Sequence, residues 1–210
     1  MNSYVLDTNF FFNLQIESGY GTNPRHIIES MTMASEALQR SGKGAFYMPP
    51  RIVEEMETFI SPTEGYYVRF MASVQVKSPD VSRVEFPGIA FYDLVEEIRH
   101  RSYRGLQIGE EEMGLAVKDM ISVGELSHIE YQKTIGKHVA TLRDRYRNAT
   151  RVKFLDSVAD LDLIILAKEL DATVVSADEG VLIWARKFGV KEVSPHVLKA
   201  QLELLLSPQA

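Results

Sequence analysis

With 210 residues, 45% of them hydrophobic, and a net charge of −6, the chain is long enough for one large domain or a core domain carrying a sizeable insertion. It has no cysteine, which excludes disulfides and thiolate metal sites. No run approaches the roughly 18 apolar residues of a spanning helix, and the N-terminus lacks a basic segment followed by an apolar one, so a cytoplasmic protein is expected.

In chain order, "SYVLD" (3 to 7) reads as a buried strand ending in an aspartate. "RHIIESMTMASEALQR" (25 to 40) follows as a helix, with Ile27, Ile28, Met31, Ala34 and Leu38 on one stripe. "GKGAFYMPP" (42 to 50) gives a glycine turn, a short strand and a proline stop, and Pro50 opens the helix "RIVEEMETFI". Residues 61 to 88, with Pro62, Pro79 and Pro87, are loop-rich with one helix inside. From 89 to about 150 three helical stretches are predicted, at 89–104, 110–123 and 127–149. The chain then alternates again: helix 157–170, strand 172–178, helix 179–188, strand 191–195 and helix 196–206. Alternation at both ends predicts an α/β fold with a central parallel sheet, built from residues 1–88 and 151–210 and interrupted by a helical insertion over 89–150. Phe10, Phe11, Phe12 and Trp184 are expected in the core.

In open parallel sheets the functional crevice lies at the carboxyl ends of the strands. Asp7 and Asp178 each end a strand, Glu54 and Glu55 open the helix after the second strand, and Asp156 and Asp160 are one turn apart near the start of the 157–170 helix. Each has a plain structural reading: Asp7, Asp156 and Asp178 as helix caps, and the glutamates as residues that favour a helix N-terminus. Taken together these readings are weaker, because two like charges 4 Å apart repel by about 4 kcal/mol at an effective dielectric of 20. Such a cluster calls for cations, and oxygen ligands without cysteine or clustered histidine point to Mg²⁺ or Mn²⁺. The matching chemistry is metal-assisted attack of water on a phosphodiester.

The order "YVLDTN", "PPRIVEEM", "DLDLIILAKELDATVVSADEGVL" resembles the PIN domain, a metal-dependent ribonuclease fold. That resemblance implies carboxylates at Asp7, Glu55, Asp160 and Asp178, with Asn9 and Ser176 as supporting polar groups. Glu55 is preferred to Glu54 because the motif sets its glutamate before an apolar residue, here Met56, and five after a proline, here Pro50. The insertion followed by "FLDSVADLDLIILAKELDATVVSAD" is similar to the protein-only ribonuclease P family of the Aquifex type. This narrower resemblance implies endonucleolytic removal of the 5′ leader from precursor tRNA, leaving a 5′-phosphomonoester. Its catalytic aspartates map onto Asp7, Asp156, Asp160 and Asp178, with Asp162 nearby as a further metal ligand. It also implies an insertion that touches tRNA and joins protomers into dimers and a larger homo-oligomer, up to a dodecamer.

The charge pattern fits an RNA substrate. Residues 126–153 carry Lys133, Lys137, Arg143, Arg145, Arg147, Arg151 and Lys153 against Glu130 and Asp144. This basic limb on an acidic chain leads in sequence back to the carboxylates, and Arg143, Arg145, Arg147, Arg151 and Lys153 are its candidate phosphate contacts. The plain alternative is a solvated helical face. "FYDLVEEI" and "MGLAVKDMISV" are more apolar than two isolated helices can hide, so either they pack on each other or a second subunit covers them. Asp119 and the "GEEEMG" glutamates read as surface charge, and the five histidines as bystanders. Two rivals remain, a toxin-type PIN endoribonuclease cutting mature RNA and a PIN-like RNA-binding protein without catalysis. A haloacid-dehalogenase-type phosphatase is discounted because position 9, where it needs an aspartate, is Asn9.

Overall fold

The computed structural model describes residues 2–13, 19–123, 126–155 and 157–207. The chain divides into two compact units, one formed by Met1–Pro87 with Leu155–Ala210 and the other by Gly88–Phe154.

The first unit is built on five parallel strands, β1 (Asn2–Leu6), β2 (Gly44–Met48), β3 (Gln75–Val76), β4 (Thr173–Val175) and β5 (Lys191–Val193), in the order β3-β2-β1-β4-β5. Val5 and Leu6 on β1 are wholly buried, as are Phe46 on β2 and Val174 on β4, which is what a sheet covered on both faces requires. Register pairs Tyr4 with Phe46 on one side and with Thr173 on the other, placing β1 at the centre. From β1 the chain moves to β2 in one direction, whereas β4 and β5 extend in the other. The helices that flank the sheet fall into two packed groups. Helices α2 (Pro24–Ser41), α4 (Gly65–Ser73) and α9 (Pro195–Leu206) pack as one group, and α3 (Pro50–Glu57), α7 (Val158–Glu169) and α8 (Glu179–Lys187) as the other.

Local signals account for the boundaries. Asn23 caps α2 by accepting the His26 N–H at 3.0 Å, Pro24 occupies its first turn, and Gly42 closes it at φ 64° in the left-handed region. Between β1 and α2 lies the single turn α1 (Asn9–Phe12). Phe10 and Phe11 are buried in the core, as is Trp184 on α8, whereas Phe12 is half-buried. The loop-rich stretch contains α4 and the two-residue β3, which extends the sheet.

The second unit consists of α5 (Gly88–Val123) and α6 (His128–Thr150) packed on each other. The two stretches predicted at 89–104 and 110–123 are one 36-residue helix, about 54 Å long at 1.5 Å per residue. Among its glycines Gly105 has a packing role: a Cβ there would lie 2.7 Å from the Tyr146 ring of α6. Ser127 and Glu130 form a capping box at the start of α6. The hairpin is stapled by a polar cluster, in which Arg145 bonds Glu111 and, at 2.6 Å, Glu112, while His138 lies 3.1 Å from Asp119 and 3.6 Å from Glu112. Glu112 is only 4% exposed, so this "GEEEMG" glutamate is a buried anchor rather than surface charge, and Asp119 and His138 belong to the same network. Mutual packing leaves much apolar surface open, with Tyr92, Met113, Ile121 and Ile129 all exposed and no residue of α6 buried. Among the described residues no helix is long and apolar enough to cross a membrane.

Candidate active site

Asp7 follows the last residue of β1, and Ser176 follows the last residue of the adjacent β4. They meet where the strand order reverses, the position at which open parallel sheets leave a crevice. The Asp7 amide donates to the Val175 carbonyl at 3.0 Å, continuing the ladder one residue past the strand. Ser176 Oγ donates to Asp7 Oδ2 at 2.5 Å and accepts the Asp178 N–H at 2.9 Å. A single hydroxyl thus links Asp7, which follows β1, to Asp178, which lies three residues past β4, whereas the sequence predicts a strand over 172–178.

Asp7 receives the backbone N–H of Asn9, so the helix-cap reading holds in part. Its burial goes beyond a cap, with 1% of the residue exposed. Burial pushes its carboxyl up to about 7; the Ser176 and Asn9 hydrogen bonds work against this, and the Asp160 and Glu55 carboxylates add to it. The charged groups acting on Asp7 are therefore other acids.

Thr8 brings Glu55 to this place. Its Oγ1 lies 3.1 Å from Glu55 Oε2 and 3.4 Å from the Ile52 carbonyl, across 47 and 44 residues of sequence. Glu55 is thereby the glutamate on the Asp7 side of α3. Glu54 instead lines a cavity of about 520 Å³ with Arg51, Asp162, Ser78 and Pro79. Thr8 carries no signal beyond its place inside "DTN", and only its contact with Glu55 reveals it.

Asp160 sits in the first turn of α7, half-buried, its N–H bonded to the capping Ser157 Oγ at 3.0 Å. Ser157, rather than Asp156, caps that helix; Asp156 itself lies outside the described residues. Asp178 caps α8, its Oδ1 accepting the Gly180 and Val181 amides at 2.6 and 3.2 Å, while the residue remains exposed. Asp162 is buried and paired with Arg51 at 2.5 Å, so its charge is met by a guanidinium and not only by neighbouring acids. Asn9 contributes its backbone to Asp7 and is half-buried.

The donor set around Asp7 is oxygen only, which fits a hard divalent cation. Among the described residues, no group of three acidic or histidine side chains is drawn tightly enough to hold a metal ion. The arrangement is an open constellation at one sheet edge.

Of the basic candidates, Arg143 and Arg147 are exposed on α6, with Arg147 3.8 Å from Asp144. Arg151 caps the end of α6, and Lys153 adopts a positive φ of 62°. Arg145 is committed to Glu111 and Glu112.

Comparison with known proteins follows the same lines. A family model described as PINc domain ribonuclease matches residues 3–207. The chain is similar to RNA-free ribonuclease P of Thermococcus kodakarensis, with 36% identity over 203 residues, covering 97% of this chain and 95% of that protein. It is also similar to RNA-free ribonuclease P of Thermodesulfovibrio yellowstonii, 34% identical over 93% of this chain and 90% of the other. The protein of the same name from Halorhodospira halophila is 33% identical, with coverages of 98% and 91%.

Proposed function

From the family to which this chain belongs, the RNA-free ribonuclease P proteins of the PIN-domain ribonucleases, we propose that it is an endoribonuclease that removes the 5′ leader of precursor tRNA. The observation that carries the reading is the buried Asp7, tied to Ser176 and set among the Glu55 and Asp160 carboxylates at the carboxyl edge of the sheet.

Asp7, Glu55, Asp160 and Asp178, joined by Asp156, are the residues that would hold Mg²⁺ or Mn²⁺. When bound, such an ion activates water and stabilises the charge that develops on the phosphate. This chain's own contribution is orientation. Ser176 Oγ and the Asn9 amide fix the Asp7 carboxylate, Thr8 Oγ1 holds Glu55 toward it, and the first amides of α8 hold Asp178. Burial holds the Asp7 carboxyl up at about 7, so its charged form would be favoured by a cation held beside it. The exposed Arg143 and Arg147, with Arg151 and Lys153, supply phosphate contacts on the helical unit. The uncovered apolar residues of that unit, Tyr92, Met113, Ile121 and Ile129, support self-association into dimers and larger assemblies.

The test is incubation of the protein and its Asp160→Ala variant with 5′-labelled precursor tRNA and Mg²⁺, with product ends read at single-nucleotide resolution. One cut at the mature 5′ end, absent in the variant, is the expected result. Cuts scattered through mature tRNA would favour the toxin-type alternative, and binding without cleavage the non-catalytic one.

A further inference from the structure

Thr8 and Glu55 touch across α1 and α3, and four residues further along both segments lies a second contact. Phe12 and Phe59 meet there, with ring centroids 4.7 Å apart and planes inclined by 31°. Four residues are about one helical turn, so the aromatic pair repeats the Thr8–Glu55 register one turn from the carboxylates. The first two phenylalanines of "FFF" are used by the core: Phe10 packs on Phe11 and Tyr20, and Phe11 on Phe70. The third turns toward Phe59, which is 61% exposed. Its position is fixed from both sides, because Met56 and Ile60 are buried and the Phe59 N–H donates to the Met56 carbonyl at 3.1 Å. Phe59 is thus held outward by an anchored backbone.

We propose that Phe59, backed by Phe12, is a stacking platform for a nucleobase of the RNA next to the bond that is cut. The inference rests on the RNA-cleaving reading of the adjacent carboxylates. An acidic crevice repels the phosphate backbone it must receive, and a neutral aromatic face is a way to hold the strand that does not add to the repulsion. Base stacking on an aromatic ring is tolerant of sequence and substantial in energy. At 4.7 Å the two rings are in contact, so no base enters between them. The base lies on the outer face of Phe59, and Phe12 keeps that ring from turning away.

The experiment uses the full chain as wild type and as Phe59→Ala, Phe59→Leu and Phe59→Trp. Two RNAs are used, a precursor tRNA and a short single-stranded oligonucleotide, each carrying 2-aminopurine beside the expected cut. Stacking quenches the 2-aminopurine fluorescence. The expected result is quenching by wild type and Phe59→Trp, and loss of quenching in Phe59→Ala and Phe59→Leu. The latter two should also bind about tenfold more weakly, equivalent to roughly 1.4 kcal/mol, with unchanged melting temperatures. The leucine variant separates stacking from simple apolar contact. If wild type cleaves the precursor and the alanine or leucine variant quenches and binds as well as it does, the platform is refuted and the enzyme reading stands. If wild type quenches the oligonucleotide, the alanine and leucine variants do not, and the precursor stays uncut, the enzyme reading falls and Phe59 stands only as a base-stacking surface of an RNA-binding protein. If wild type does neither, both are refuted.

Discussion

Replacing Asp7 by asparagine should remove a pH dependence that the cation-free protein owes to one buried acid. The Asp7 carboxyl is raised from 3.8 to about 7, so between those values the folded protein holds a proton that the unfolded chain has released. Folding stability from this group is complete below pH 4 and is lost as pH rises through 7. At about 1.36 kcal/mol per pH unit, the full loss is about 4 kcal/mol, and the part falling between pH 5 and 8 is about 3 kcal/mol. For a chain of this size that corresponds to a fall in melting temperature of about 6–12 °C. The side-chain amide of the Asp7→Asn variant still offers an oxygen to Ser176 and has nothing to ionise. Thermal melts with a chelator at half-unit intervals from pH 5 to 8 should therefore show a slope in wild type that the variant lacks. Adding Mg²⁺ or Mn²⁺ at pH 8 should then raise the melting temperature of wild type and not of the variant. Parallel slopes with chelator, or equal shifts with metal, would remove Asp7 from the site.

Four other substitutions probe the surroundings. Arg147→Ala should lower the slope of log affinity for RNA against log salt by about 0.7–0.9 with the fold intact. Arg145→Ala should instead reduce the helicity of the second unit on melting, because it leaves buried Glu112 without its guanidinium. Equal effects of the two on the salt slope would make Arg145 an RNA contact as well. Arg51→Ala strands the buried Asp162 and should cost about 2–3 kcal/mol in urea unfolding, below the range of wholly buried pairs because Arg51 is 56% exposed. The double variant Arg51→Ala/Asp162→Asn should be the more stable of the two, and an equal or larger loss would refute the pairing argument. Thr8→Val preserves shape and drops the hydroxyl that touches Glu55; it should lower single-turnover cleavage severalfold while costing about 1 kcal/mol of stability. An unchanged rate would mean that Glu55 holds its place unaided.

Most of the sheet could be read from the chain because its central strands are short apolar runs stopped by turn residues, as in "YVLD" and "AFYMPP". The two-residue β3 was not legible, since no period can be expressed in two residues; it exists because β2 offers an open edge to pair with. The break expected inside α5 failed for a tertiary reason. Gly105 lies between the two predicted stretches, and glycine costs about 1 kcal/mol in an isolated helix. Tyr146 lies against the space a Cβ on Gly105 would fill, and the packing of α6 on α5 outweighs the propensity.

The site divides along the same line. Asp7 and Asp178 could be expected together from topology, because residues just past the ends of neighbouring parallel strands meet at one edge, whereas Ser176, which joins them, came only from the resemblance to the PIN motif. Asp160 was expected in the site and Asp162 beside it as a further metal ligand, yet two residues apart they project to different sides of α7. One acts on Asp7 and the other pairs with Arg51. The choice between Glu54 and Glu55 was also a choice of helix face, and the contact that decides it comes from Thr8, 47 residues away. Arg51, Glu55 and Phe59 follow one another at intervals of four along α3 and the turn after it. Each meets its counterpart on a different segment: Asp162, Thr8 and Phe12. A stripe of a cation, an acid and an aromatic ring defeats a reading based on hydrophobic period, because its members share no polarity.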